Sequence, residues 1–481
     1  MPETTPPSSR PHEPLRDVIV SRFAAVLHQR WPQDLGPLVL VWGIWLVLAR
    51  ALYHYVQTFP VNAPWMDEWE LIPTLTGHLP LSWKWLWSLH NEHRMVIPRL
   101  IYLAVVKLAG DFRAGCYFSA GALDLSAAAM IVVARRVRGY TLYSDAIFPV
   151  ITLHLGQWEN LLFSLHVVWT SGAALVAAVL LIIVQPGRLS LRASLGLALC
   201  TIMLPLCGGN GLAYAPACLA MVMLVGWQVR KVSHHGRRAT AAVWALGLVG
   251  VAVTALYFVD YTRPAKHPPS RDLQGTIEGA AIFLAEGLGA AAKTVWPNIR
   301  IALYLAAATI ALAMLGAFVS RVNERPRVSR LALFLGAVLT LAIGTGWARR
   351  GLGAEMMFST RYVTAAAAFW LATYFAWEVV GHRPLRETAQ ALLFALAAAF
   401  LVANRNEGLA HSGHGRNERI ALQNDVRAGV PLEKIAAKHW NHVYYPLYMS
   451  ISKDDPAGPD TFRERLKMLR ESRFGIFRDL K

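Results

Sequence analysis

The sequence predicts an all-α polytopic membrane protein, and three observations carry this prediction. Of the 481 residues, 55% are hydrophobic and only 16% are charged, which excludes typical soluble and disordered classes. Apolar runs of about 17 to 22 residues recur along the chain, and each is long enough to cross roughly 30 Å of hydrocarbon. The runs lack the strict alternation of a membrane β-barrel, so helices are the expected spanning elements.

About eleven segments are candidate membrane spans, within a range of roughly ten to thirteen once short or re-entrant segments are counted. The candidate spans are 36–56, 95–110, 116–135, 163–184, 190–206, 212–229, 239–258, 299–320, 330–347, 361–380 and 387–403. Segments 145–157 and 276–292 are ambiguous, and the second is expected to lie at the interface or to re-enter the membrane. The predicted transmembrane domain is therefore 36–403, with interfacial helices in an external loop at 57–94.

Basic residues cluster in loops that one topology can place on the cytoplasmic side, as the positive-inside rule requires. These clusters contain Arg16, Arg22, Arg30, Arg230, Lys231, Arg237, Arg238, Arg321, Arg325, Arg327, Arg330, Arg383 and Arg386. Arg135, Arg136 and Arg138 fit the same topology if 95–110 does not cross alone and 142–157 does. The net charge of +17 is explained by this loop bias, so no nucleic-acid partner is expected.

The two ends of the chain differ from its apolar middle. Residues 1–35 are charged and rich in proline, which predicts a largely disordered cytoplasmic segment without a cleavable signal peptide. Residues 404–481 carry periodic apolar positions and predict a small helical C-terminal cap on the external face. The four cysteines lie in or beside apolar segments without Cys-x-x-Cys spacing, so they are interpreted as buried apolar side chains.

An acidic, tryptophan-rich segment follows the first apolar run, at residues 64–70 with the sequence PWMDEWE. Carboxylates this close to a bilayer are costly unless they are solvated or used. Asp67 or Glu68 could take a proton from an attacking hydroxyl, or help hold a divalent cation against a phosphate. Apolar surroundings would raise the pKa of such a carboxyl, and Arg94 or Arg99 would oppose that rise. In an alternative and compatible interpretation, Asp67 is the N-cap of a short helix.

A second polar run, at residues 90–94, directly precedes the next apolar segment. If this run were helical, His90 and His93 would share a face, a spacing found at metal sites, but no third ligand follows. A metal site is therefore not expected there, and an interfacial polar cap is the alternative to a binding site. The residues expected to bind substrate beside Asp67 are His90, Glu92, His93 and Arg94.

Further residues expected to bind substrate, Glu159, Asn160, Tyr362 and three arginines, lie between or at the ends of apolar segments on the same predicted face. Glu159 and Asn160 interrupt two apolar stretches, and a carboxylate there must face an aqueous site or belong to a solvated turn. One of Arg349, Arg350 and Arg361 is expected to bind a phosphate through two parallel hydrogen bonds. Tyr362 adjoins Arg361, for which snorkelling towards the interface is the alternative interpretation.

This organisation resembles the GT-C glycosyltransferases, which use lipid-linked sugars. The resemblance covers most of residues 36–403 and depends on an acidic pair in a large first external loop, here Asp67-Glu68. A second acidic residue in the next external loop corresponds to Glu159. The resemblance implies that Asp67 is the catalytic base, with Glu68 as the competing candidate. Because the second site is not an Asp-x-Asp motif, no cofactor is expected, and a divalent cation remains the alternative.

The resemblance implies an inverting transferase at the external, periplasmic face of a bacterial inner membrane. It would move a sugar from a polyprenyl-phosphate-linked donor to an envelope glycan or lipid acceptor. A transporter or flippase of lipid-linked saccharides and a non-catalytic envelope-assembly scaffold are the alternatives. A transporter predicts ionisable residues near mid-span and a repeated half-structure, and Asp124 is the main ionisable residue within a predicted span.

Overall fold

The computed structural model describes residues 34–230, 236–263, 268–444 and 458–478. The expected disorder of 1–35 falls almost wholly outside these ranges. Within them, eight helical segments are long and apolar enough to cross a membrane, so the chain is an all-α, multi-pass membrane protein. These segments are Leu35–Thr58, Ala114–Arg138, Ser164–Ile183, Gly236–Tyr257, Ile299–Ser320, Val322–Leu352, Glu355–Val380 and Arg383–Ala410.

Helices of eight or more residues are numbered α1 to α16 in chain order. They are α1 Leu35–Thr58, α2 Val96–Ala109, α3 Ala114–Arg138, α4 Val167–Ile183, α5 Leu191–Met203, α6 Ala215–Arg230, α7 Gly236–Tyr257, α8 Leu273–Glu286, α9 Ile299–Ser320, α10 Arg325–Arg349, α11 Val363–Val380, α12 Arg383–Ala399, α13 Leu401–Ala410, α14 Arg416–Arg427, α15 Leu432–His439 and α16 Gly458–Glu471. Two-residue strands at Leu89–His90 (β1) and His93–Arg94 (β2) form an antiparallel hairpin.

One end of the helix bundle, here named the basic end, holds a buried network of opposite charges. The Arg138 guanidinium lies 2.9 Å from the Asp145 carboxylate and 2.8 Å from that of Glu378. Arg386, just inside α12, lies 3.0 Å from the other Glu378 oxygen. Because the Arg138 side chain is 1% exposed, its charge depends on these partners. The network therefore brings the basic residues at the end of α3 together with those at the start of α12.

Other contacts bring further chain segments to the basic end. Arg135 lies 3.4 Å from Asp34, which immediately precedes α1. Arg327, at the start of α10, donates to the carbonyl of Val184 at 2.7 Å and lies within electrostatic range of Glu378. The starts of α1 and α10 and the end of α4 therefore lie at the basic end. The cluster at 135–138, ambiguous from sequence, lies with the arginines at 327 and 386.

The opposite end, here named the loop end, carries residues 57–94 and both flanks of α2. Before α2, Arg94 donates to the carbonyl of Tyr257 at 2.8 Å. After it, the backbone of Phe112 donates to the side chain of Asn62 at 2.9 Å. With 14 residues, α2 is about 21 Å long, and both flanks of the candidate span 95–110 lie at the loop end. Short helices within 143–162 run between the two ends instead.

Helix α8, in the ambiguous segment 276–292, also has both flanks at the loop end. Before it, the backbone of Ser270 donates to the carbonyl of Trp347 at 2.7 Å. After it, the Lys293 ammonium lies 2.5 Å from the Glu355 carboxylate. Both flanks of this segment therefore lie at the same end of the bundle.

The C-terminal cap, residues 404–481, covers the loop at 57–94 through its described parts. The Trp69 ring lies edge-on to Phe462 at 4.7 Å between centroids, and both side chains are fully buried. Gln423 donates to the backbone carbonyl of Asn62 at 3.2 Å. A second hydrophobic core, separate from that of the helix bundle, therefore joins the loop and the cap.

The close crossing of α8 and α10 yields a prediction. A Cβ added at Gly346 would lie 2.3 Å from the carbonyl oxygen of Thr276, whereas one added at Gly344 would meet no atom within 4 Å. We expect Gly346→Ala to destabilise the fold by about 1 to 3 kcal/mol, because the backbones must separate. Gly344→Ala, the matched control, should be neutral or stabilising by up to about 1 kcal/mol. Thermal unfolding in nanodiscs measures both, and equal melting temperatures would contradict the crossing.

Candidate functional site

A carboxylate–imidazolium cluster forms where the acidic turn meets the hairpin. Asp67 and Glu70 lie on a single 3-10 turn, Met66–Leu71, and His90 ends β1. The two ring nitrogens of His90 lie 3.0 Å from the Asp67 carboxylate and 3.2 Å from that of Glu70. Burial lowers the pKa of His90, but its hydrogen bonds to both carboxylates and their charges outweigh burial and raise it to about 10. His90 is therefore protonated at neutral pH and serves as the cation of the cluster.

The structure distinguishes between the two adjacent acidic candidates. Glu68 is 2% exposed, and its carboxylate accepts the backbone N–H groups of Trp65 and Leu165, each at 3.0 Å. The Asp67 side chain is 36% exposed. Glu68 therefore bridges two chain segments, and Asp67 is the carboxylate that a substrate can reach.

The interpretation of Asp67 as a helix N-cap is wrong. The turn begins at Met66, before Asp67, and the Glu68 carboxylate takes the capping role by accepting the Trp65 N–H. The sequence also offered Arg94 and Arg99 as cations beside Asp67. Arg99 instead donates to the carbonyls of residues 85, 86 and 88, so His90 supplies the positive charge.

The polar run 90–94 is a hairpin, so the expected helical face shared by His90 and His93 does not exist. The two residues are paired across the strands, and Asn91 turns the chain at φ +53°. Glu92 forms an ion pair with Arg349 and lies 3.6 Å from the His93 ring. Among the described residues, no group of three or more potential ligands could hold a metal ion.

Arg94, expected to bind substrate, instead holds the hairpin against the end of α7. Its guanidinium donates to the carbonyls of Tyr257, Val259 and Trp87, and it lies 5.0 Å from the Trp87 ring centroid. The residue is 4% exposed. Its donors are directed at backbone carbonyls, which gives Arg94 a structural role.

Glu159 ties the chain just before α11 to the segment ahead of α4. One of its carboxylate oxygens accepts from the Ser359 and Thr360 hydroxyls at 3.0 and 2.9 Å, and from the Arg361 backbone at 2.8 Å. The Glu159 side chain therefore fixes the backbone at Arg361.

Asn160 and His166 extend this arrangement towards Asp67. The Asn160 amide donates to the Arg361 carbonyl at 3.2 Å and the Thr364 hydroxyl at 2.6 Å, and its oxygen lies 3.1 Å from the His166 ring. The His166 ring lies within electrostatic range of Asp67, Glu159 and Arg361. His166 therefore lies within electrostatic range of both acidic groups that sequence spacing had placed on one face.

The three candidate arginines differ in their partners. Arg349 pairs with Glu92, and Arg350 lies 2.9 Å from Glu278, so each is matched with a carboxylate outside the Asp67 cluster. Arg361 lies at the Glu159 group, with its guanidinium 5.2 Å from the Tyr362 ring centroid. Tyr362 is 2% exposed and packs edge-on against Trp169. Of the three arginines, Arg361 is the one joined to the Glu159–His166 arrangement.

A small cavity of about 40 Å³ lies among the membrane helices next to this arrangement. Gln157 and Thr364 line it, and they hydrogen-bond each other at 2.8 Å in the network that holds Asn160. Apolar side chains of α4, α10 and α11 form most of its wall, including Phe334, Leu341 and Leu371. The polar network therefore borders an apolar space inside the bundle.

Sequence analysis missed Glu70, His166, and Arg419 of the cap as members of this region. Glu70 was part of the acidic turn, and its i, i+3 spacing from Asp67 was a usable signal. His166 immediately precedes an apolar run, and an ionisable side chain at the end of a predicted span was a usable signal for a functional residue. Arg419 carries no local signal, because its contacts join residues more than 300 positions apart in the chain.

No family model, curated protein or solved structure matches the chain.

The imidazolium at His90 predicts a pH-dependent stability. Its folded pKa of about 10 lies above the reference value of 6.5, so its contribution is complete below pH 6.5 and is lost as pH rises through about 10. We expect His90→Gln to melt at a lower temperature than wild type near pH 7, with the difference shrinking towards pH 10. Thermal unfolding of both proteins across pH 6 to 10 measures this difference. A difference that collapses between pH 6 and 7 would contradict the ion cluster.

Proposed function

We propose that the chain is a GT-C-type inverting glycosyltransferase acting on a polyprenyl-phosphate-linked sugar. The observation that carries this proposal is the partly exposed Asp67 carboxylate, held by an imidazolium, with His166 within electrostatic range of both Asp67 and Arg361. Asn160 joins the Arg361 backbone to Thr364, which lines a small apolar cavity. A lipid-linked donor needs a cation for its phosphate, and the surrounding bilayer can accommodate its tail. The acceptor is an envelope glycan or lipid.

We infer eleven passages through the membrane, because the contacts at the basic end and the loop end alternate along the chain. His93 against Gly209 and Arg94 against Tyr257 put the junction before α6 and the end of α7 at the loop end. The inferred passages are 35–58, 114–138, 143–162, 167–183, 191–207, 215–230, 236–257, 299–320, 325–349, 363–380 and 383–399. Segment 143–162 takes the place of 95–110 in this set.

The positive-inside rule orients these passages. It puts the basic end in the cytoplasm, and the loop end then faces the periplasm of a bacterial inner membrane. The proposed site and the C-terminal cap share that periplasmic face. The acceptor and the donor headgroup would therefore meet on the periplasmic side. Because the nucleotide-sugar pool lies on the other side of the membrane, a lipid-linked donor suits this location.

The proposed reaction is a single displacement at the anomeric carbon. The acceptor hydroxyl gives its proton to Asp67 as its oxygen forms a bond to that carbon. The bond from the carbon to the phosphate oxygen breaks on the opposite face, which inverts the configuration. The leaving polyprenyl phosphate keeps the bonding electron pair, and Arg361 stabilises its growing negative charge. His90 cannot take the proton, because both of its ring nitrogens already donate to carboxylates.

Asp67→Asn tests the proposed base. We expect transfer to fall by about 100-fold or more, the usual scale for removal of a general base. Asp272→Asn is the matched control: Asp272 caps α8 at the same end, and asparagine caps equally well. Mass spectrometry of envelope glycans and glycolipids would compare cells lacking the protein with cells carrying either variant at equal abundance. Full restoration of the product by Asp67→Asn would remove Asp67 as base and favour transport or scaffolding.

Arg361→Gln tests the proposed phosphate contact. With purified protein and a polyprenyl-phosphate sugar, we expect at least about a tenfold loss in kcat/KM, because a charge-assisted hydrogen bond contributes about 1.5 to 3 kcal/mol. Arg350→Gln, which also removes a guanidinium paired with a carboxylate at the loop end, should have little effect. Equal losses in the two variants would count against Arg361 as the phosphate contact.

A further inference from the structure

Trp65, two residues before Asp67, is enclosed by residues of the C-terminal cap. Gly415, at φ +62°, lies so close that an added Cβ would be 2.4 Å from the Trp65 ring. The Arg419 guanidinium lies 5.3 Å from the ring centroid and donates to the carbonyl of Gly415 at 3.0 Å. Arg419 is 3% exposed, so its charge is withdrawn from water at this contact. The cap therefore fixes the residue that precedes the acidic turn.

Glu68, one residue after Asp67, fixes the backbone on the C-terminal side of Asp67. Its two oxygens accept the backbone N–H groups of Trp65 and Leu165, an arrangement best suited to the ionised carboxylate. The titratable groups facing Glu68 are Arg419 from the cap, Tyr102 from α2 and Cys116 from α3. Arg419 is the cation among these three.

We propose that Arg419 is a positioning residue of the candidate site, which makes the C-terminal cap a working part of it. Asp67 lies between Trp65, which Arg419 covers, and Glu68, whose negative charge Arg419 favours. Loss of the guanidinium charge would let Glu68 bind a proton more readily and weaken one of its two backbone contacts. The Asp67 carboxylate would then lose its fixed orientation. The activity readout of this inference rests on the proposed function, whereas its exchange readout does not.

The geometry is coupled to pH through Glu68. Burial raises the pKa of Glu68, and the Arg419 charge and the backbone hydrogen bonds lower it, leaving it at about 7. Since this folded pKa exceeds the reference of 4.5, ionisation of Glu68 lowers stability as pH rises from 4.5 to 7. The same ionisation completes the two backbone contacts. If loss of Arg419 raised the pKa of Glu68 by one, the ionised fraction of Glu68 at pH 7 would fall from about one half to about one tenth.

Hydrogen exchange tests the inference without any substrate. The full-length protein in nanodiscs would be compared with Arg419→Gln, Arg419→Lys and the exposed control Arg427→Gln on the same helix. After correction for intrinsic exchange, peptides spanning 60–70 and 160–170 should show a change in protection with a midpoint near pH 7 in wild type and Arg427→Gln. In Arg419→Gln this midpoint should lie at least about one pH unit higher, and Arg419→Lys should restore the wild-type midpoint.

Turnover against pH tests the positioning role. We expect the acid limb of kcat to move to higher pH in Arg419→Gln, with about a fivefold loss at pH 7, and to recover in Arg419→Lys. Glu68→Gln should be slower at every pH and should lack that limb. The inference is overturned if Arg419→Gln matches Arg427→Gln in the exchange midpoint, or if Arg419→Lys fails to restore it. Absence of transfer in wild type, with the exchange midpoints as expected, would reject the proposed function and leave the cap contact standing.

Discussion

The cost of burying charge is the constraint on which the loop end depends. A carboxylate removed from water must gain hydrogen bonds or a cation, and three carboxylates here gain them from distant parts of the chain. Glu68 accepts a hydrogen bond from the Leu165 backbone, and Glu92 forms an ion pair with Arg349. Glu159 accepts hydrogen bonds from residues 359–361. Each of these contacts joins segments that membrane helices separate in sequence. The fold at this end is therefore held by polar contacts as well as by the second hydrophobic core.

Asp67 stands apart from these three carboxylates. Its own partner, His90, is also bound by Glu70, so a single imidazolium serves two carboxylates on one turn. This arrangement keeps negative charge at an exposed position without neutralising it fully. Glu68 immobilises the backbone on one side of Asp67, and Trp65 does so on the other. A reactive carboxylate needs this combination of exposure and fixed orientation.

Much of the fold could be predicted from the sequence, because apolar length and the positions of arginines depend on the bilayer alone. The placement of Asp67 and Glu159 at one end followed from the same reasoning. The hairpin at 89–94 could not be predicted, since two-residue strands leave no periodic pattern and the turn depends on Asn91 alone. The roles of Arg94 and Arg419 were also beyond reach, because their partners are carbonyls and rings contributed by distant helices.

The broken passage at 143–162 bears on how the protein is made. Its helical pieces have three to six residues, too few to satisfy their backbone groups while alone in lipid. On the proposed topology, this segment therefore needs neighbouring helices such as α3 and α4 around it to satisfy its backbone groups. The Glu159 carboxylate lacks these hydrogen-bond donors until residues 359–361 are synthesised, because they follow about 200 residues later in the sequence. The site is thus completed late in synthesis, after most of the bundle has entered the bilayer.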